Sequence, residues 1–250
     1  MKLTGLRLRR YPMTEKGLKE RLKSIARDEA TLSGPQPEMI MPEVPTIYLT
    51  FDDGPGDYTA RLLDILATND VKATFFVTLE NPLKAELTGR AFKEGHAIGV
   101  HSACHDYEKI YANEAAFYQD FLLCEEMIRA QTGRYSTLFR FPGGSSNTIS
   151  RHWCTGIMTR LATSMQEMGY RYFDWNVDSD DSGTAKEPEA VLRNVVMGCH
   201  GKTASIVLQH DIKSYSVTAV EDIIAFGKSE GFRFRPLDMS SPTMKHRIAN

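Results

Sequence analysis

Long hydrophobic runs are missing from this chain. Nowhere among its 250 residues do about 18 apolar residues follow one another, so no segment reads as a membrane-spanning helix. Cysteine is scarce and scattered. Cys104, Cys124, Cys154 and Cys199 form no CxxC pair, lack zinc-finger spacing and are too few to staple a chain of this length, so redox compartment cannot be read from them. Charge of neither sign prevails: 30 basic against 32 acidic residues give a formal net charge of −2, and no electrostatic case for a nucleic-acid or membrane-surface binder. The basic cluster RLRRY at 7–11 reads as a solvated tail. The N-terminus MKLTGLRLRRYPMTEKG has no apolar core, so no secretory signal is visible; the chain reads as cytoplasmic, or as one whose export signal or anchor lies outside it. No GxGxxG follows the first strand-like run, which removes the usual reason to expect a dinucleotide fold.

What is present is ordinary globular material, 42% hydrophobic and 25% charged, with enough length for one large domain or two small ones. Residues 14–33 read as an amphipathic helix with Leu18, Leu22, Ile25 and Ala26 on one face. The proline-rich GPQPEMIMPEVP at 34–45 reads as an extended linker, which puts a boundary near residue 44: an N-terminal helix and linker over 1–43, and a main domain over 44–250. Beyond it, strand-like runs rich in β-branched and aromatic residues occur at 46–51, 73–78, 97–102, 137–141, 171–177, 205–210 and 232–237. Helical patterns lie between them, among them 59–70, 113–133, 150–169 and 218–231, several ending in Gly or Asn. Repeated strand-then-helix units imply an α/β fold with a parallel sheet and right-handed crossovers; seven strands can close into a distorted barrel or remain an open doubly wound sheet, and the distorted seven-stranded barrel is the expectation. In such a fold functional groups collect past the carboxyl ends of the strands.

Several of those ends are polar. YLTFDDGPGDY at 48–58 sets Asp52 beside Asp53 where the first strand meets a loop. Adjacent carboxylates repel, and a cation, a shared proton or plain solvent exposure has to resolve the conflict. His101 closes the third strand and His105 follows in HSACHD; Arg140 ends the fourth; Asp178, Asp180 and Asp181 follow the fifth; His210 and Asp211 end the sixth. His101 and His105 share a face if the turn after the strand is helical, although most HxxxH matches are surface or core histidines. With Asp53 as an oxygen ligand the set becomes two imidazoles and one carboxylate with open positions, an arrangement suited to a catalytic first-row metal. A carboxylate left beside the ion is placed to act as a base.

At this point the residues resemble those of a known family. TFDDGP (50–55), HSACH (101–105), RFPGG (140–144), VDSDD (177–181) and VLQHD (207–211) are similar, in order, to the motifs of polysaccharide deacetylases of the NodB-homology type, carbohydrate esterase family four, over roughly residues 45–240. That family's fold is a distorted seven-stranded (β/α) barrel. The resemblance implies one divalent metal on Asp53, His101 and His105, zinc first, with cobalt, nickel, manganese or iron also compatible. It implies that Asp52 is the base that activates water, held by Arg140, and that His210 is the acid that protonates the departing amine. Asp181 would orient His210, though Asp178 and Asp180 compete for that role. Leu208 would floor the acetyl pocket, and Gly143 would serve the oxyanion through its backbone. Two positions depart from the family: Gly143 stands where an aromatic residue is common, and Ser182 where a tryptophan follows the orienting acid, leaving one pocket wall unaccounted for.

The implied activity is removal of N-acetyl groups from N-acetylglucosamine units of peptidoglycan or chitin-like oligomers, at the cell surface or otherwise outside the membrane. An acetylxylan O-deacetylase and a non-catalytic carbohydrate binder are the alternatives; a binder, however, needs no base and acid together. Other residues carry bland readings. Trp153, Trp175, Tyr170, Tyr172 and Phe173 could stack on sugar rings, Trp175 being the substrate-binding candidate among them, but aromatic residues at strand or helix periodicity are more often core. His152 and His200 read as surface or helix residues, and His96 lies at the wrong end of the barrel. Asp211 reads as a turn residue or a supporting partner, and Cys104 as a small buried apolar residue.

Overall fold

The computed structural model describes residues 13–33 and 37–250; the basic cluster at 7–11, most of the N-terminal stretch and the first three linker residues lie outside the described residues. Strand β1 (Thr46–Asp52) is buried along its whole length. Its odd residues Ile47, Leu49 and Phe51 join the apolar layer shared with the helices, while Tyr48 joins Phe76, Leu138, Phe173 and Ile206 in a second cluster inside the sheet's curl. That period of two is what a strand buried on both faces requires.

On one side of β1 follow β2 (Thr74–Thr78), β3 (Ala97–Ser102), β4 (Leu138–Phe139) and β5 (Arg171–Tyr172); on the other, β7 (Ala204–His210) and β6 (Val177–Asp178). All pairs are parallel, so the expected distorted barrel forms. A short β8 (Arg233–Phe234) pairs with Thr46 and Ile47 at the start of β1. Gly99 in β3 permits the curl, because a Cβ there would stand 2.6 Å from the Phe76 ring that fills the interior.

The strand expected over 171–177 is not continuous. It divides into β5 and β6, which do not pair with each other. Phe173 N–H still reaches Phe139 O at 3.0 Å, and Asn176 N–H reaches Ile206 O at 3.2 Å, so residues 173–176 cross from one edge of the curled sheet to the other. The crossing takes Phe173 O and Asp174 O out of any ladder, and the Arg140 guanidinium satisfies both, at 2.8 and 3.2 Å.

Helices α2 (Thr59–Thr68), α3 (Glu86–Lys93), α4 (Tyr107–Ile110), α5 (Glu114–Thr132), α6 (Ile157–Glu167), α7 (Pro188–Cys199) and α8 (Ser214–Ser229) complete the domain. Asn113 caps α5 by accepting from Ala116 N–H, and Gly133 ends it with φ 79°. The helix expected over 150–169 begins only at Ile157, because Gly156 with φ 73° breaks the run after a short 3-10 turn. The N-terminal helix α1 (Glu15–Ser33) buries Leu18, Leu22, Ile25 and Ala26, the expected face, in the main core. Glu29 fastens its end by accepting from Arg134 and from Tyr135 N–H.

Candidate active site

Strand register brings the first pair of side chains together. Asp52 pairs with His210 across β1 and β7, and both lie on the inward face shared with Tyr48 and Ile206. Asp53, next in the chain, would face the helices if the strand continued. Instead it adopts φ 74°, a left-handed conformation that costs a non-glycine residue roughly 1–2 kcal/mol, so the chain departs from strand alternation. Its carboxylate then meets two imidazoles.

The turn carrying His105 is not helical, contrary to the condition on which the HxxxH spacing was read. β3 ends at Ser102, and Asp120 on α5 holds the bend by accepting from Ser102 Oγ, Ala103 N–H and Cys104 N–H at 2.7, 2.8 and 3.0 Å. Ser102 Oγ in turn accepts from His105 N–H, and His105 takes φ 44°. The two rings come to 5.1 Å by this route.

Asp53 Oδ1 stands 3.4 Å from His101 Nε2 and 3.4 Å from His105 Nε2, and the three candidate ligand atoms lie within 4.8 Å of one another. His101 Nδ1 lies 2.9 Å from Arg140 O; a carbonyl only accepts, so Nδ1 carries the hydrogen and Nε2 presents a lone pair to the cluster. Asp53 Oδ1 is buried and has no hydrogen-bond partner among the described residues. Metal–ligand bonds of about 2.0–2.1 Å at tetrahedral angles separate ligand atoms by roughly 3.3–3.4 Å, so the two separations from Asp53 match a small divalent cation, and the donor set fits one in its chemistry.

Asp52 Oδ1 accepts from Arg140 Nη1 at 2.8 Å, and its Oδ2 lies 3.9 Å from His101 Nε2. Arg140 also donates to Thr50 Oγ1 and stacks over Phe76 with its carbon 4.4 Å from the ring centre. Across the site, His210 Nδ1 sits 2.7 Å from Asp181 Oδ1, and His210 N–H donates to the other carboxylate oxygen. His210 Nε2 is thereby turned inward, 3.8 Å from Asp53 Oδ2. Of the three aspartates after the fifth run, only Asp181 contacts this ring. Asp178 accepts from Asp180 N–H and Trp175 Nε1, and Asp180 binds Thr184.

The charges shape one another. Burial pushes Asp53 upward, but the imidazoles of His101, His210 and His105 around it outweigh that, His101 foremost, and hold the carboxyl well below the usual range. Burial pulls His101 down, yet Asp52 and Asp53 lift it above its ordinary value. His105 is lowered by burial and by His101. His210 is lowered by burial but raised further by Asp181, and the net shift is upward.

Leu208 is buried on the inward face of β7, between Ile206 and His210. Trp175 is half-buried 5.6 Å from the Arg140 guanidinium, and Gly143 and Gly144 share a turn with φ 75° and 76°. Ser182 is exposed and contributes no wall. Cys104, expected buried, is exposed, because Asp120 fixes its backbone on the outside of the bend. Trp153, expected in the core, is 40% exposed. His152 and His200 are exposed as read, while His96 is buried with Nδ1 accepting from Ala73 N–H.

Sequence reasoning passed over Tyr107, whose ring stands edge-on to His105 and whose Oη lies 2.6 Å from where a Cβ on Gly143 would be. Tyr107 thus fills space that a side chain at 143 would need; burial, with Asp53 and Asp52, pushes its hydroxyl up to about 12. Asp120 and Asp174 were also missed. Only the proximity of Tyr107 to the HSACH segment could have flagged it.

Comparison with known proteins is consistent with this geometry. The family model described as polysaccharide deacetylase matches residues 41–172. A peptidoglycan-N-acetylglucosamine deacetylase of Bacillus cereus is 35% identical over 193 residues, 75% of this chain and 67% of that protein. The catalytic domain of peptidoglycan N-acetylglucosamine deacetylase from Eubacterium rectale superposes with a TM-score of 0.84 at 46% identity, covering 86% of this chain and 98% of that one. A polysaccharide deacetylase from Bacillus cereus gives 0.71 at 32% identity, with coverage of 80% and 96%.

Proposed function

The chain belongs to the polysaccharide deacetylase family, and from that premise we propose that it is a metal-dependent hydrolase that removes N-acetyl groups from N-acetylglucosamine units of peptidoglycan or chitin-like oligomers. The observation that carries the reading is the pairing of two functions in one cleft. Asp53, His101 and His105 offer three converging donor atoms, and His210, bound to Asp181, turns its free Nε2 towards them at 3.8 Å from Asp53.

Asp53, His101 and His105 would hold the cation, with zinc the first candidate. When bound, such an ion supplies Lewis acidity towards the acetyl carbonyl and the attacking water. Asp52 accepts the proton of that water, and its Arg140 bond keeps the carboxylate aimed and compensated. A backbone N–H of the Gly143 turn would face the developing oxyanion. His210 Nε2 donates its proton to the departing nitrogen, without which an amine leaves poorly; Asp181 fixes the tautomer by holding Nδ1–H. Leu208 floors the acetyl methyl, and Trp175 stands beside the sugar.

Such polymers lie outside the membrane, so the protein acts there on this reading. Among the described residues no helix is long and apolar enough to cross a membrane. Acetate release from acetylated chitooligosaccharides, peptidoglycan and acetylxylan, each with and without chelator, tests the proposal. Chelator-sensitive release from the glucosamine polymers supports it. Release from acetylxylan alone makes the protein an esterase, and no release with metal still bound makes it a binder.

A further inference from the structure

The seam between β5 and β6 is bridged by residues 173–176, and a distant tail is fastened to that bridge. Residues 242–250 have no regular secondary structure, yet His246 among them makes three polar contacts. Its backbone N–H donates to Asp174 Oδ2 at 2.8 Å, its Nε2 lies 2.7 Å from Trp175 O, and its Nδ1 lies 3.1 Å from Ser146 Oγ. The Trp175 carbonyl only accepts, so Nε2 carries the hydrogen, while Nδ1 faces the Ser146 hydroxyl. The imidazole also meets the Trp175 indole edge-on, 4.7 Å between centres at 77°.

Both ends of this clamp reach the cleft. The indole packs on the glycine turn closely enough that a Cβ on Gly144 would lie 2.9 Å from its ring. Asp174, buried, accepts from Ser145 N–H at 2.8 Å, tying the same turn to the bridge. Asn250 anchors the tail beyond His246, accepting from Gly156 N–H and Thr159 N–H.

We propose that His246 is a positioning residue: through Trp175 O and Ser146 Oγ it sets the spacing between the indole and the Gly143–Asn147 turn, and so the width of the sugar-facing wall. It touches no reacting atom. Only the kinetic half of the test rests on the deacetylase reading.

The chain has two tryptophans, so Trp153→Phe leaves Trp175 as the sole tryptophan, read by excitation at the red edge where tyrosine does not absorb. In that background His246→Ala, His246→Gln and His246→Asn are compared. A glutamine amide nitrogen can reach the Nε2 position and keep the bond to Trp175 O; an asparagine amide reaches only the Nδ1 position. His246→Ala should shift Trp175 emission to the red and raise its quenching by acrylamide. It should also raise KM for N-acetylglucosamine oligomers roughly fivefold to tenfold while kcat stays within about twofold, the pattern of lost uniform binding. Glutamine should restore both signals and asparagine should not. Unchanged Trp175 emission and KM in His246→Ala would overturn the proposal. So would equal losses in all three variants tracking a lower melting temperature, which would make the tail packing alone. If the parent releases no acetate, the deacetylase reading fails while the emission series still decides the positioning role.

Discussion

Asp52 Oδ1 and Arg140 Nη1 are 2.8 Å apart inside the barrel, where 3% of the aspartate and none of the arginine is exposed. A buried pair of this kind adds little over an apolar one, but breaking it leaves an uncompensated charge. Arg140 also holds the carbonyls of Phe173 and Asp174, so it supports the bridge across the seam. Arg140→Met should therefore destabilise by about 3–5 kcal/mol. Adding Asp52→Asn should recover part of that loss, since the stranded carboxylate goes but the orphaned carbonyls stay. Urea unfolding of the two variants decides it; a single variant as stable as the parent would refute the account.

The neighbouring carboxylates should separate in function. Asp53 offers an unpartnered oxygen to two imidazoles, whereas Asp52 is already bound to Arg140. Asp53→Asn should weaken zinc binding by at least about tenfold, ~1.4 kcal/mol, measured by calorimetry. Asp52→Asn should bind zinc nearly normally and lose roughly 10²–10⁴-fold in turnover, the usual contribution of a general base. Normal turnover in either variant, or normal zinc affinity in Asp53→Asn, would reverse the assignment.

With His210 as the proposed acid, the alkaline limb of the pH profile should belong to it. Burial lowers its pKa, but the bond and charge of Asp181 raise it further, ahead of Asp53 and Asp52. An acid works while protonated, so activity should persist below the raised pKa and fall as pH rises through it. Asp181→Asn removes the largest raising influence and should move that limb to lower pH, besides lowering the plateau. A limb that stays put in kcat/KM against pH would mean that another group sets it.

Much of this site was legible because its residues follow long runs. The segments at 46–52 and 204–210 form full strands, so Asp52, Asp53 and His210 could be placed at their ends. The short strands were harder. β4, β5 and β6 have two residues each, and nothing in RYFDWNV marks where the backbone leaves the ladder at Phe173. Arg140 could be paired with Asp52, but not with the carbonyls of Phe173 and Asp174, because backbone acceptors leave no trace in sequence. Tyr107, Asp120 and His246 act across folds of the chain, and His246 meets Asp174 across 72 residues. Cys104 was misread because an apolar type at a strand end says nothing of which way the bend turns.

The last expectation concerns Asp211, directly after the proposed acid. It is fully buried, its Oδ2 accepts from Thr59 Oγ1, and its Oδ1 has no partner among the described residues. The carboxyl presses on the turn that carries Asp53: a Cβ on Gly54 would lie 2.1 Å from Oδ2. Burial, with the charge of Asp53 adding to it, pushes this acid up to about 7. The folded state therefore favours the protonated form. Its stabilising effect is complete below the unfolded value of about 3.9 and is lost as pH rises from there through the folded pKa. At about 1.4 kcal/mol per unit, the parent should lose up to ~4 kcal/mol between pH 4 and pH 8 relative to a group that cannot ionise. Asp211→Asn is that group, close in shape and permanently neutral. Urea unfolding in chelator, so that no cation offsets Asp53, should show the variant level with the parent near pH 4 and more stable at pH 8. Parallel pH profiles for the two proteins would mean that Asp211 ionises freely in the fold, and that its contact with Gly54 does not depend on its proton.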